Sequence, residues 1–170
     1  MTKKDIILIG MPGCGKTSIG RRIAPELKRM FLDLDAEIER ISDKSIAQIF
    51  AREGEAAFRR IETEVFRKSL GQGCVIATGG GIVTQPENQK IAAAGLIVFA
   101  DRPLEQILGD VDISARPLLA AGKERLYRLW KERYPVYCAW ADIHIQNNGT
   151  MEEAAKKIID EVNRYEDDGD

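Results

Sequence analysis

Ile6-Ile7-Leu8-Ile9-Gly10-Met11-Pro12-Gly13-Cys14-Gly15-Lys16-Thr17 is the segment on which the reading of the whole chain turns. Its first four residues form a short, continuously apolar, β-branched-rich run. That is the composition of a strand buried on both faces of a parallel sheet. The next eight match G-x-x-x-x-G-K-S/T. Glycines there let backbone N–H groups turn inward around phosphate oxygens, and the helix that follows points its positive end at the same charge. Lys16 then reaches the β and γ phosphates, and the Thr17 hydroxyl is placed to ligate Mg²⁺. A glycine-rich turn that merely precedes a helix is the alternative, and the position between a buried strand and an amphipathic helix argues against it. Gly13, Cys14, Gly15, Lys16, Thr17 and Ser18 are therefore the candidate contacts for a nucleotide's phosphates. Cys14 lies near a helix N-terminus that lowers thiol pKa values, but a small space-filling role suits it better.

Outward from this segment, Cys74-Val75-Ile76-Ala77 and Leu96-Ile97-Val98-Phe99 repeat the buried-strand pattern, with weaker candidates at Met30 to Leu34 and Asp142 to Gln146. Helical spacing of apolar residues occupies Thr17 to Lys28, Ser45 to Leu70, Leu104 to Leu108, Glu124 to Trp140 and Met151 to Val162. Strand–helix alternation implies βαβ crossovers. The expected fold is a three-layer α/β/α domain with a five-stranded parallel sheet. In such a sheet the active site collects at the carboxyl ends of the strands. One domain is expected for the whole chain 1–170, because 170 residues match the usual domain size of about 150. The terminal Glu-Asp-Asp-Gly-Asp reads as a frayed tail.

Composition narrows the function classes. Lys plus Arg number 25 against 27 Asp plus Glu, a net charge of −2. That balance speaks against binding nucleic acid or membranes through bulk charge. The single histidine, His144, excludes mechanisms needing paired histidine ligands and reads as structural. Cys14, Cys74 and Cys138 form no C-x-x-C, which points to a reducing compartment. No signal-peptide pattern precedes the first strand, and the apolar stretch from Ile91 to Ala100 is too short to span a bilayer. A cytoplasmic monomer is expected.

Among phosphate-loop proteins, a regulatory GTPase would show Asp-x-x-Gly and Asn-Lys-x-Asp, and neither occurs. A small-molecule or nucleotide kinase remains, in which an acceptor is held opposite the γ phosphate. Asp33 and Asp35 end the second strand, where a turn can aim both at the phosphates; an Asx-type helix cap is the competing reading. Arg59 and Glu62 are three apart on a helix. They form either a surface pair worth about 0.2–0.5 kcal/mol or an oriented guanidinium fork for an acidic substrate. Thr78-Gly79-Gly80-Gly81 follows the third strand and offers backbone donors to an anion. The poorly periodic segment 110–122 reads as a lid hinged at Gly109 and Gly122 that delivers Arg116 onto the transferring phosphate. Arg133 and Tyr137 share one helix face.

In this order, Asp33-x-Asp35-x-x-Ile38-Glu39, Phe58-Arg59-x-x-Glu62, Gly79-Gly80-Gly81, Arg116-Pro117-Leu118-Leu119 and Arg133-x-x-x-Tyr137 resemble the shikimate kinases, enzymes of the nucleoside-monophosphate-kinase-like type. The likeness runs from Ile6 to Val162. It implies ATP-dependent phosphorylation of the shikimate 3-hydroxyl on the way to chorismate and aromatic amino acids. It further implies Asp35 as proton acceptor and ring-hydroxyl ligand. Arg59 and Arg133 would grip the substrate carboxylate, with Gly80 and Gly81 as backbone donors. Thr17 and Asp33 would hold Mg²⁺, while Lys16 and Arg116 balance phosphoryl charge. Helices within about 34–70 would bind the substrate. The family's adenine-stacking arginine is replaced by Gly109, and Arg102 is too far back to take its place. Adenine is then expected against Asn147 to Thr150. A kinase for gluconate or a nucleoside monophosphate, and a nucleotide-binding module without catalysis, are the competing readings.

Overall fold

Strand β1 (Ile6–Ile9) takes the middle of a five-stranded parallel sheet, where its side chains meet protein on both faces: Ile6, Ile7 and Leu8 are wholly buried. The computed structural model describes residues 3–110 and 122–169. The other strands are β2 (Phe31–Asp33), β3 (Val75–Ala77), β4 (Leu96–Asp101) and β5 (Ile143–Gln146), in the order β2-β3-β1-β4-β5. Successive side chains of a strand point to opposite faces. Every residue of β1, β3 and β4 is buried, so helices must cover both faces, as in a three-layer α/β/α domain. The edge strand β5 alternates buried and exposed instead.

Seven helices are described: α1 (Lys16–Glu26), α2 (Leu34–Ser42), α3 (Ile46–Ser69), α4 (Pro86–Ala92), α5 (Leu104–Asp110), α6 (Gly122–Trp140) and α7 (Met151–Asp168). Local signals set several boundaries. Ser45 and Gln48 form a reciprocal capping box at the start of α3, and Thr150 with Glu153 does the same for α7. The register aligns Leu8 with Ala77 and Ala77 with Asp33, which brings the ends of β1, β2 and β3 to one edge.

Two expectations are corrected. The acidic tail does not fray from Glu166: α7 continues to Asp168, and Glu166 pairs with the Arg29 guanidinium, a side chain only 2% exposed. Between β3 and β4 the crossover is a 3₁₀ turn (Ile82–Thr84) followed by α4; Pro86 starts that helix where its missing N–H costs nothing. Gly109 and Gly122, expected as hinges in a loop, instead lie in the last turn of α5 and at the first position of α6. The expected lid and its Arg116 lie outside the described residues.

Candidate active site

The phosphate loop leaves β1 and turns through Gly13 (φ 80°) and Gly15 (φ 93°), conformations an L side chain rarely adopts. No side chain caps the first turn of α1, so its amides stay aimed at the loop's concavity. The Lys16 ammonium bends over the loop and donates to the carbonyls of Gly10 (2.7 Å) and Met11 (3.0 Å). Cys14 is buried, with its sulfur 3.6 Å from that ammonium. Its thiol therefore fills space inside the loop, and any contact with a nucleotide falls to its backbone.

Asp33 ends β2 and divides its two oxygens. Oδ1 accepts the N–H groups of Asp35 and Ala36, capping α2, while Oδ2 accepts the Thr17 hydroxyl at 3.1 Å. Helix cap and phosphate-site ligand are thus one residue. Asp35, in the first turn of α2, lines a cleft of about 350 Å³ together with Lys16, Thr17, Ser18, Gly79 and Gly80. Burial, reinforced by the neighbouring Asp33 charge, pushes its carboxyl above the ordinary value, and Lys16 opposes them.

The glycine run after β3 is the floor on which the two halves of the site meet. A Cβ on Gly79 would stand 3.0 Å from Asp35 Oδ1 and 3.3 Å from Glu62 Oε2. A Cβ on Gly80 would lie 2.6 Å from the Pro12 ring, and one on Gly81 would occupy the space of the Arg59 guanidinium. Arg59 Nη1 donates to Glu62 Oε1 at 2.8 Å, and Glu62 is 1% exposed. Burial raises the Glu62 carboxyl, while Arg59 and, more weakly, Arg133 oppose the rise. Glu62 Oε2 and Arg59 Nε are buried without a hydrogen-bond partner among the described residues. Tyr137, wholly buried on α6, donates its hydroxyl to the Gly80 carbonyl (2.5 Å), and burial pushes that phenol up against the charge of nearby Arg133.

The structure thus gathers Lys16, Thr17, Ser18, Asp33, Asp35, Arg59, Glu62, Arg133 and the glycine run around one strand edge. Pro12 and Thr78 also line the cleft; the sequence puts them in the phosphate loop and at the head of the glycine run without marking either as a site residue. Arg102 is nearer than its spacing suggested, donating to the Gly13 carbonyl at 2.9 Å and pairing with Asp110. In the segment expected to face adenine, Asn147 donates to the Cys14 carbonyl (2.9 Å) and the Asn148 carbonyl accepts from Gln106 (3.2 Å).

Comparison with known proteins places relatives beside this chain. A profile of the shikimate kinase family matches residues 12–163. The chain is 44% identical over 158 residues to a shikimate kinase of Clostridium botulinum, covering 92% of this chain and 95% of that one. It is 45% identical over 168 residues to a shikimate kinase of Nostoc punctiforme, covering 93% and 90%. A solved shikimate kinase from Acinetobacter baumannii in complex with shikimate superposes with a TM-score of 0.88 at 37% identity, covering 96% and 95% of the two chains.

Proposed function

The chain belongs to the shikimate kinase family, and on that premise we propose how its residues divide the work of phosphorylating shikimate with ATP. The enzyme transfers the γ phosphoryl group to shikimate in the pathway to aromatic amino acids. The observation that carries the division of labour is that Asp35 lines the same cleft as Lys16 and Thr17, while Gly81, next along the chain from the Gly79 and Gly80 of that cleft, packs against the Arg59 guanidinium.

The triphosphate lies in the loop from Gly13 to Ser18, and Asp35 takes the proton of the attacking hydroxyl. Its raised pKa suits that work, because a general base is most effective when its pKa is shifted toward the working pH. The substrate carboxylate is gripped by Arg59 and Arg133 and by N–H groups of Gly80 and Gly81. Each charge-assisted contact is worth about 1.5–3 kcal/mol, which discriminates against an uncharged sugar. The orphaned Glu62 Oε2 supports a hydroxyl-bearing substrate, since a buried acceptor without a donor is costly. Lys16 and Arg116 balance the charge developing on the phosphoryl group.

Thr17 and Asp33 present hard oxygens 3.1 Å apart beside the loop. That donor set fits Mg²⁺, which keeps most of its waters and takes one or two protein oxygens plus phosphates. The ion would neutralise phosphate charge. Residues 34–70 hold the acceptor, 110–122 close over it as a lid, and the chain works as one domain. No described helix is long and apolar enough to cross a membrane. A monomer in the cytoplasm, acting without nucleic acid or membrane, is the assembly consistent with this reading, and sedimentation checks the monomer.

A coupled assay of ADP release, run with and without shikimate, tests the assignment. Release that depends on shikimate is expected; ATP turnover indifferent to it, or equally stimulated by gluconate or a nucleoside monophosphate, would overturn it. Arg59→Lys is expected to raise KM for shikimate about tenfold or more, because a point charge cannot supply the planar fork.

A further inference from the structure

Strand β4 is apolar from Leu96 to Ala100 and then ends in an acid, Asp101, only 7% exposed. One of its oxygens, Oδ2, is the meeting point of three side chains. The Tyr134 hydroxyl on α6 donates to it at 2.8 Å, His144 Nε2 on β5 lies 2.7 Å away, and Gln146 Nε2 stands at 3.4 Å. None of these groups has a part in the reaction as assigned above. The Asp101 backbone is tied to the nucleotide side: its carbonyl accepts the Asn147 N–H at 2.8 Å, and Asn147 in turn holds the Cys14 carbonyl of the phosphate loop.

Tyr134 directly follows Arg133 and precedes Tyr137 by three residues. Consecutive helical residues point about 100° apart, so the face that seats Tyr134 fixes where Arg133 points. Tyr134 is seated on Phe99 (ring centroids 5.6 Å) and Trp130 (5.1 Å). Such ring packing fixes the helix less sharply than a hydrogen bond with a set donor and acceptor does. A hydroxyl bonded to a nearly buried carboxylate is directional and strong. The other directional tie at this end of α6 among the described residues is Tyr137 to the Gly80 carbonyl.

We propose that Asp101, acting through the Tyr134 hydroxyl, is a positioning residue that sets the rotation of α6 and so aims Arg133 at the carboxylate of shikimate. The inference rests on the Arg133 grip assigned above. Asp101 anchors both α6 and, through Asn147, the phosphate loop, so the acid-gripping helix is referenced to the nucleotide end of the cleft.

Tyr134→Phe removes the tie and keeps the ring. Steady-state kinetics should show KM for shikimate raised about tenfold, with kcat and KM for ATP within about twofold of the parent and a melting temperature lowered by no more than a few degrees. In an Arg133→Ala background, where KM is already high, Tyr134→Phe should add less than about twofold, because its effect runs through the missing guanidinium. An unchanged KM in the single Tyr134 variant, a full second increment in the double variant, or a loss shared equally with ATP would overturn the proposal. If Arg133→Ala alone leaves KM for shikimate unchanged, the grip itself is wrong and the inference falls with it. If Arg133→Ala raises KM while Tyr134→Phe does not, only the positioning role fails.

Discussion

Asp33 and Asp35 are two residues apart and do different work because one ends a strand and the other opens a helix. Asp33 spends one oxygen on the amides of α2 and the other on Thr17, so it is held by both. Asp35 is left facing the cleft, where burial and its neighbour raise its pKa. The folded state therefore holds that proton more tightly than the unfolded chain does. Between the ordinary and the raised value stability falls as pH rises, and above the raised value the cost stands in full. Asp35→Asn should lower kcat by about 100-fold or more. The same change should raise the melting temperature at neutral pH, because it removes the cost of a buried carboxylate; kinetics and calorimetry on one preparation check both. In the parent enzyme kcat/KM should decline as pH falls through the raised Asp35 value, because only the carboxylate can accept a proton.

At the scale of elements, α3 shows how a periodic pattern conceals a break. Ile46, Ile49 and Phe50 precede Gly54, and Phe58, Ile61 and Val65 follow it, all at helical spacing, yet Gly54 stands at φ 85° and ψ 172°. That region is open essentially to glycine alone. Phe50 and Phe58 then meet across the bend with ring centroids 4.7 Å apart. The second limb presents Arg59 and Glu62 to the glycine run. Gly81 has φ −90°, a value any residue accepts, so the requirement for glycine there is steric. Gly81→Ala would drive a methyl group into the space of the Arg59 guanidinium. It should raise KM for shikimate about tenfold or more while KM for ATP stays within about twofold, measured by varying each substrate at saturation of the other.

Over the whole molecule, the far end from the site is closed by Arg29, which donates to the carbonyls of Lys4 and Gly73 and pairs with Glu166 of α7. The first strand, the entry to β3 and the last helix are thereby tied at one point. Glu166→Ala should lower the melting temperature by about 4 °C without changing kcat, since it weakens the partnering of a nearly buried cation far from the cleft. No pattern near residue 166 announced this contact, because its partner is 137 residues away in sequence. What lies in local spacing was legible: the phosphate loop, the buried strands, the long helices, and the residue types of a kinase for a small hydroxylated acid. Tertiary structure alone settled the sheet order β2-β3-β1-β4-β5, which sets the glycine run beside the phosphate loop, and it alone joined Tyr134 to Asp101. Residue periodicity reports which face of an element is buried, whereas strand order and the partners of buried polar groups depend on chain segments that meet only after folding.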